Sequence, residues 1–232
     1  MNTILWLHGF PFTSAIFARQ ASIPGFDHVM PDLPARDSMD EYAKFAVEQL
    51  DARGIEKATF AGLSMGGYIC FAVLRLFPER VSGLILIDTR ETADTEEARK
   101  GRYDMIETVQ REGTGPVVES MLPKMLTADA PDDMREYVRE VMESASREYV
   151  IGALRAIATR PDSSALLPSI QVPTLIAVGE EDPITPPKDA ERMAAAIPNA
   201  RLVKLAGAAH LANVEKADEF NAALMTAIGN AL

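Results

Sequence analysis

The chain has 232 residues, 47% hydrophobic and 25% charged, which fits a folded globular protein with one core and room for a subdomain and excludes an extended disordered chain. Asp and Glu number 34 against 23 Lys and Arg, and the resulting formal net charge of -11 repels polyanions, so neither nucleic acid nor an anionic membrane surface is expected as a partner. The single cysteine, Cys70, allows no intrachain disulfide; with no basic-plus-apolar leader and no apolar run near the roughly 20 residues that span a bilayer, a reducing, cytoplasmic setting is expected.

The first element is Thr3–Leu7, an apolar run too short for a core helix and suited to a strand buried on both faces. His8-Gly9 ends it, and His8 is expected to shape the loop that follows. A second strand is expected at His28–Met30, with His28 a surface or edge residue at its start. Ser38 and Glu41 have capping-box spacing and open a helix to about Arg53, where Gly54 stops it. The third strand, Ala58–Ala61, runs straight into Gly62-Leu63-Ser64-Met65-Gly66-Gly67, and a helix follows to about Phe77 with Pro78 just beyond. A strand that turns at once into a helix needs small neighbours, and Gly62 and Gly66 supply the room. Such a turn lifts the Ser64 hydroxyl to the carboxyl end of the sheet, beside the first free N–H groups of the helix. The sequence has neither the Lys-Ser/Thr ending of a phosphate-binding loop nor the spacing of a dinucleotide fingerprint.

Leu84–Ile87 is the fourth strand and ends in Asp88. From 90 to 168 no strand is expected, only helical periodicity around Glu96–Arg111, Pro116–Leu126, Asp132–Ser144 and Arg147–Thr159. The strands resume at Thr174–Val178 and Leu202–Leu205, with helices over about Lys188–Ala196 and Ala217–Ile228. Strands alternating with helices imply an α/β fold with a mainly parallel sheet flanked by helices. The expected units are a core of residues 1–89 and 169–232 and a helical insertion of residues 90–168.

A serine hydroxyl becomes a nucleophile when a base takes its proton. Of the three histidines, His210 lies in the small-residue loop Ala206–Ala209 after the last strand, at the end of the sheet where Ser64 is expected. The histidine needs a carboxylate to fix its tautomer. Asp182, in the loop Gly179-Glu180-Glu181-Asp182-Pro183, is the first choice and Asp88 its rival.

These residues resemble the α/β-hydrolase superfamily, and within it the small carboxylesterase, enol-lactonase and cofactor-free perhydrolase group. Leu7-His8-Gly9-Phe10-Pro11 is similar to the oxyanion loop, Gly62–Gly67 to the nucleophile elbow, Gly179–Pro183 to the acid loop and Gly207–His210 to the histidine loop, in the family's chain order. The resemblance implies a Ser64–His210–Asp182 triad, an oxyanion hole made by the backbone N–H groups of Phe10 and Met65, and a cap formed by residues 90–168. It implies hydrolysis of small or medium acyl esters without cofactor or metal, with lactone or carbon–carbon bond hydrolysis, or peroxide in place of water, as relatives of the same chemistry. A ligand receptor with an idle triad is the reading from a different class. Serine at position 64 argues against epoxide and haloalkane hydrolysis, which use a carboxylate there. Phe12, Met121, Leu122, Met125 and Leu126 are candidates to line an apolar acyl pocket. The chain departs from the family in entering its first strand almost at Met1, where relatives carry an antiparallel pair, and in a short loop after Asp32. An exposed sheet edge follows from the first, so a monomer or homodimer is expected.

Overall fold

The computed structural model describes residues 2–228. Met1 and residues 229–232, which belong to the expected core unit, lie outside them. Six strands form one sheet: β1 (Asn2–Leu7), β2 (Phe26–Val29), β3 (Ala58–Leu63), β4 (Val81–Ile87), β5 (Thr174–Gly179) and β6 (Ala200–Leu205), in the order β2-β1-β3-β4-β5-β6. Every pairing is parallel. The central strands β3 and β5 are buried along their whole length. The edge strand β6 mixes half-buried and exposed positions before it ends at buried Leu205.

Successive side chains of a strand point to opposite faces, and the two hydrophobic clusters divide on that rule. Leu5, Leu7, Phe60, Leu84, Leu86, Ile176 and Val178 pack on one face, with α1 (Met39–Asp51) and α2 (Met65–Leu76). Ile4, Trp6, Ala61, Leu63, Ile85, Ile87, Leu175 and Ala177 pack on the other, against Phe17 and against Phe220 and Leu224 of the final helix. Cys70 is wholly buried in the first cluster, and burial pushes its thiol up, away from thiolate.

Helix α1 begins at the expected cap: the Ser38 hydroxyl accepts from Glu41 N at 3.3 Å. The return bond from the Glu41 carboxylate goes one residue further back than a capping box requires, to the N–H of Asp37 at 3.1 Å. Between β4 and β5 the chain forms α3 (Glu96–Glu112), α4 (Gly115–Met121), α5 (Asp132–Glu143) and α6 (Arg147–Thr159), with no strand among the described residues of this segment. Helices α7 (Pro187–Ala196), α8 (Ala212–Glu215) and α9 (Ala217–Ile228) complete the chain. No described helix is long and apolar enough to cross a membrane.

The register positions the loops. Leu7 pairs with Gly62, Leu63 with Ile87, Ile87 with Ala177 and Gly179 with Leu205, so β1, β3, β4, β5 and β6 end side by side. His8, Ser64, Asp88 and the loops carrying Asp182 and His210 therefore leave one edge of the sheet together.

Two histidines serve the fold at this stage. His28 lies on the edge strand β2, as expected, and also makes bonds that the sequence did not announce: Trp6 Nε1 donates to His28 Nδ1 at 3.0 Å, and His28 Nε2 donates to the Ile23 carbonyl at 2.9 Å. The Trp6 partner is 22 residues away, so no local pattern announces it. His8 accepts from Leu33 N through Nε2 at 2.9 Å, and its Nδ1–H faces the Gly9 carbonyl at 3.1 Å. This bonding requires the neutral ring. Burial dominates and lowers its pKa to about 4 from the ordinary 6.5, against the opposing pull of the Gly9 carbonyl and Asp32.

Because an unfolded chain protonates His8 near pH 6.5 and the folded one only near pH 4, this contribution to stability is complete above pH 6.5 and is lost as pH falls toward 4. The expected size is on the order of 3 kcal/mol across that window. Replacing His8 with Gln, whose amide oxygen can accept from Leu33, removes the titration. Urea unfolding of both proteins from pH 7 to pH 4 checks it: the advantage of the wild type over H8Q should shrink by that amount, and a constant difference refutes a neutral His8.

Candidate active site

Ser64 sits between β3 and α2 with φ 52 and ψ -110, a left-handed conformation costly for a residue with a Cβ. Its neighbours hold it there. Its N–H donates to the Ile87 carbonyl at 2.8 Å, and the Thr89 hydroxyl donates to its carbonyl at 2.7 Å. The turn closes only because Gly62 and Gly66 lack side chains: a Cβ on Gly62 would enter the Gly66 backbone, and one on Gly66 would collide with the Leu7 carbonyl. The Ser64 side chain makes no cap bond to α2. It points instead to His210, with Oγ 3.0 Å from Nε2.

The other face of that imidazole meets Asp182, Nδ1 to Oδ2 at 2.8 Å. A carboxylate at Nδ1 fixes the proton there and leaves Nε2 as the acceptor for the serine hydroxyl. Asp182 is fully engaged. Its Oδ1 accepts from Ile184 N at 2.7 Å and Thr185 N at 3.0 Å, and its Oδ2 accepts from the Thr185 hydroxyl at 2.6 Å as well as from His210. Burial by itself would raise this carboxyl; attraction to His210, the hydrogen bond with it and the Thr185 bonds outweigh that and hold its pKa at about 2. Asp182 therefore stays ionised beside His210 at any ordinary pH.

Asp88, the rival carboxylate, has a different task. It also adopts a positive φ, 42, and is wholly buried. Its Oδ1 accepts from Gly179 N at 2.9 Å and its Oδ2 from Ala212 N at 3.0 Å. One carboxyl thus ties the start of the Asp182 loop to the residue two past His210. Burial, and after it the charge of Asp182, push the Asp88 carboxyl well above the usual range, although its two N–H bonds pull the other way. Glu215 makes a second tie that sequence reading missed. Its carboxylate accepts from Ala209 N at 2.7 Å and from Thr127 through N at 2.9 Å and Oγ1 at 2.6 Å, joining the histidine loop to the helical segment. Thr185 was missed too, although its spacing three residues after Asp182 is the local signal of a hydroxyl-closed turn.

The backbone N–H groups of Phe10 and Met65 have no hydrogen-bond partner among the described residues. Gly9 brings the first of these loops against the serine: a Cβ there would stand 3.1 Å from both the Leu63 carbonyl oxygen and Ser64 Cβ. Beside them opens a cavity of about 560 Å³, walled by Phe10, Pro183 and Ile184 from the sheet loops and by residues of α3, α4 and α6 such as Met105, Met121 and Leu154. Of the five residues expected to line an acyl pocket, Met121 borders this cavity. Phe12, Met125 and Leu126 are instead buried in the second hydrophobic cluster and Leu122 packs against it, because the apolar side of this segment faces the sheet as well as the cavity. No group of three or more metal-ligating His, Cys, Asp or Glu side chains occurs among the described residues.

Comparison with known proteins follows this geometry. The sequence pattern of the alpha/beta hydrolase fold matches residues 2–217. The chain is 28% identical over 189 residues to 3-oxoadipate enol-lactonase 2 of Acinetobacter baylyi, covering 80% of this chain and 69% of that protein. Among solved structures it is similar to a thermophilic esterase from Thermogutta terrifontis determined with malate bound, with 32% identity, a TM-score of 0.97 and coverage of 100% of this chain and 90% of that one. The enol-lactonase of Burkholderia xenovorans, at 24% identity and a TM-score of 0.88 over 98% of this chain and 91% of that one, shares the fold. The parallel sheet, the tight serine turn and a family match over nearly the whole length agree: the chain belongs to the alpha/beta hydrolases.

Proposed function

We propose that this hydrolase cleaves carboxylic esters of small or medium acyl groups through Ser64, His210 and Asp182. The observation that carries the reading is the unbroken hydrogen-bonded line from Ser64 Oγ to His210 Nε2 and from His210 Nδ1 to Asp182 Oδ2. His210 takes the Ser64 proton as Oγ attacks the ester carbonyl. The charge that develops on the carbonyl oxygen is met by the free N–H groups of Phe10 and Met65, in a site already shielded from water. Collapse of the tetrahedral intermediate expels the alcohol, which leaves with the proton from His210. Water, deprotonated by the same imidazole, then attacks the acyl-enzyme and releases the acid and Ser64. Asp182 keeps the ring in the required tautomer and offsets the imidazolium charge without accepting the proton, consistent with its pKa of about 2.

Helices α3 to α6 act in this reading as a cap over the core, forming most of the cavity wall, and Asp88 and Glu215 hold the loops in place without touching substrate. The identity to an enol-lactonase gives lactones as the second substrate class, since ring opening needs the same attack and differs only in keeping the alcohol attached.

Release of nitrophenol from p-nitrophenyl acetate or butyrate tests the assignment. Ser64→Ala should lose roughly 10⁶-fold in kcat, and unchanged release would remove Ser64 as nucleophile. Asp182→Asn should cost about 10⁴-fold by presenting the wrong tautomer. Asp88→Asn loses one acceptor for a buried N–H and should cost only about tenfold. A greater loss at Asp88 than at Asp182 would reverse the two roles.

A further inference from the structure

The cavity walled by Phe10, Pro183, Ile184 and the helical segment differs in charge from the protein around it. The chain has a formal net charge of -11, yet two cations and no Asp or Glu are among the residues that wall this space. The cations are Arg102 on α3 and Lys124 just after α4.

Neither charge is fully compensated within the protein. Arg102 bonds through Nε alone, to Asp94 Oδ2 at 3.2 Å, which leaves both terminal nitrogens without a partner among the described residues. Asp94 is nearly buried and is shared: its Oδ1 pairs at 2.8 Å with Arg160, whose side chain is 4% exposed. One carboxylate between two guanidiniums leaves one positive charge uncompensated, and Arg102 is the one at the cavity. Its Nε bond also fixes the fork that carries the free nitrogens. Lys124 has no hydrogen bond or ion pair among the described residues. Apart from Ser120, the rest of the wall is apolar, with Phe10, Met105, Val117, Met121, Leu154 and Ile184 among its residues. A ligand that fits both surfaces has a short carbon chain with an anionic end.

We propose that the cavity selects esters whose acyl chain ends in a carboxylate, the half-esters of short dicarboxylic acids, with Arg102 and Lys124 binding the carboxylate. The inference rests on ester hydrolysis at Ser64 and adds the substrate class. Attack by Ser64 on the ester carbonyl, loss of the alcohol and attack by water release the free dicarboxylic acid, while the distal carboxylate takes no part in bond making. The apolar wall accepts the methylene chain, and the cations discriminate against an uncharged end. A volume of about 560 Å³ lies within the range of small-molecule sites.

The test compares monomethyl glutarate with methyl 4-carbamoylbutanoate, a neutral ester of nearly the same shape, by pH-stat titration. The wild type should favour the anionic ester in kcat/KM by roughly tenfold or more, and rising salt should erode the preference. Lys124→Gln together with Arg102→Gln should bring the ratio near one; Lys124→Glu should favour the amide, whereas Arg102→Lys should keep most of the preference. Lys124 is exposed, so its variants leave the fold intact and stand as the control for loss of the Asp94 bond in Arg102→Gln. Calorimetric titration of both esters into Ser64→Ala reads the same selectivity without chemistry. Equal binding and equal turnover of the two esters by the starting protein, or a ratio unmoved by the charge variants, overturns the proposal. Preferential binding of the anionic ester with no turnover of either would instead overturn ester hydrolysis and leave the anion site standing.

Discussion

The backbone of Ser64 is the constraint on which the rest of the site depends. A left-handed conformation at a residue with a side chain costs of order 1–3 kcal/mol and persists only where the surroundings leave no alternative. Here the surroundings are specific. Strand β1 lies so close to the turn that its Leu7 carbonyl occupies the space a side chain at 66 would need, and the Ile87 carbonyl at the end of β4 and the Thr89 hydroxyl just beyond it hold the serine from the other side. The strain therefore draws on the packing of three adjacent strands, and it turns the hydroxyl out of the sheet toward His210.

The same edge of the sheet handles three carboxyl groups in three ways. Asp182 accepts four hydrogen bonds, one from His210, and is held ionised. Asp88 is deeper and lies near the Asp182 charge, conditions that disfavour a second anion, and it works as a clamp between two loops. Glu215, bound to Ala209 and Thr127, fastens the histidine loop to the helical segment. Movement of that segment is thereby coupled to the imidazole through one carboxylate and through the Leu211 N–H bond to the Met125 carbonyl at 3.1 Å. A cavity formed mostly by the helices is thus tied to Ser64, Asp182 and His210, which come from the loops of the sheet.

The elements most legible in the sequence are those whose cause is local. β3 and β5 are short, mostly apolar runs buried along their whole length, the pattern of a strand covered on both faces. Three of the four helices between 90 and 168 stand within a residue of their expected bounds, with Gly113 just after α3, Pro131 just before α5 and Pro161 just after α6, whereas α4 stops at Met121, five residues short of the expected Leu126. Ser64, Asp182 and His210 were legible for the same reason, each marked by the small or rigid residues its loop requires. His28 and Glu215 were not, since their partners lie 22 residues away in Trp6 and 88 away in Thr127. Phe12, Met125 and Leu126 read as pocket residues because an apolar side chain looks the same in a sequence whether it faces a cavity or a core.

The sequence by itself determined the α/β alternation, the tight turn at Ser64 and the identity of the loops that bear Asp182 and His210, because propensity, periodicity and steric room act over a few residues. Only the tertiary structure decided that Asp182 and not Asp88 meets the imidazole, that His8 stays neutral, and that Arg102 and Lys124 line one cavity. Each of those depends on burial and on the distance between groups far apart in the chain, which only the packed sheet and its register bring together.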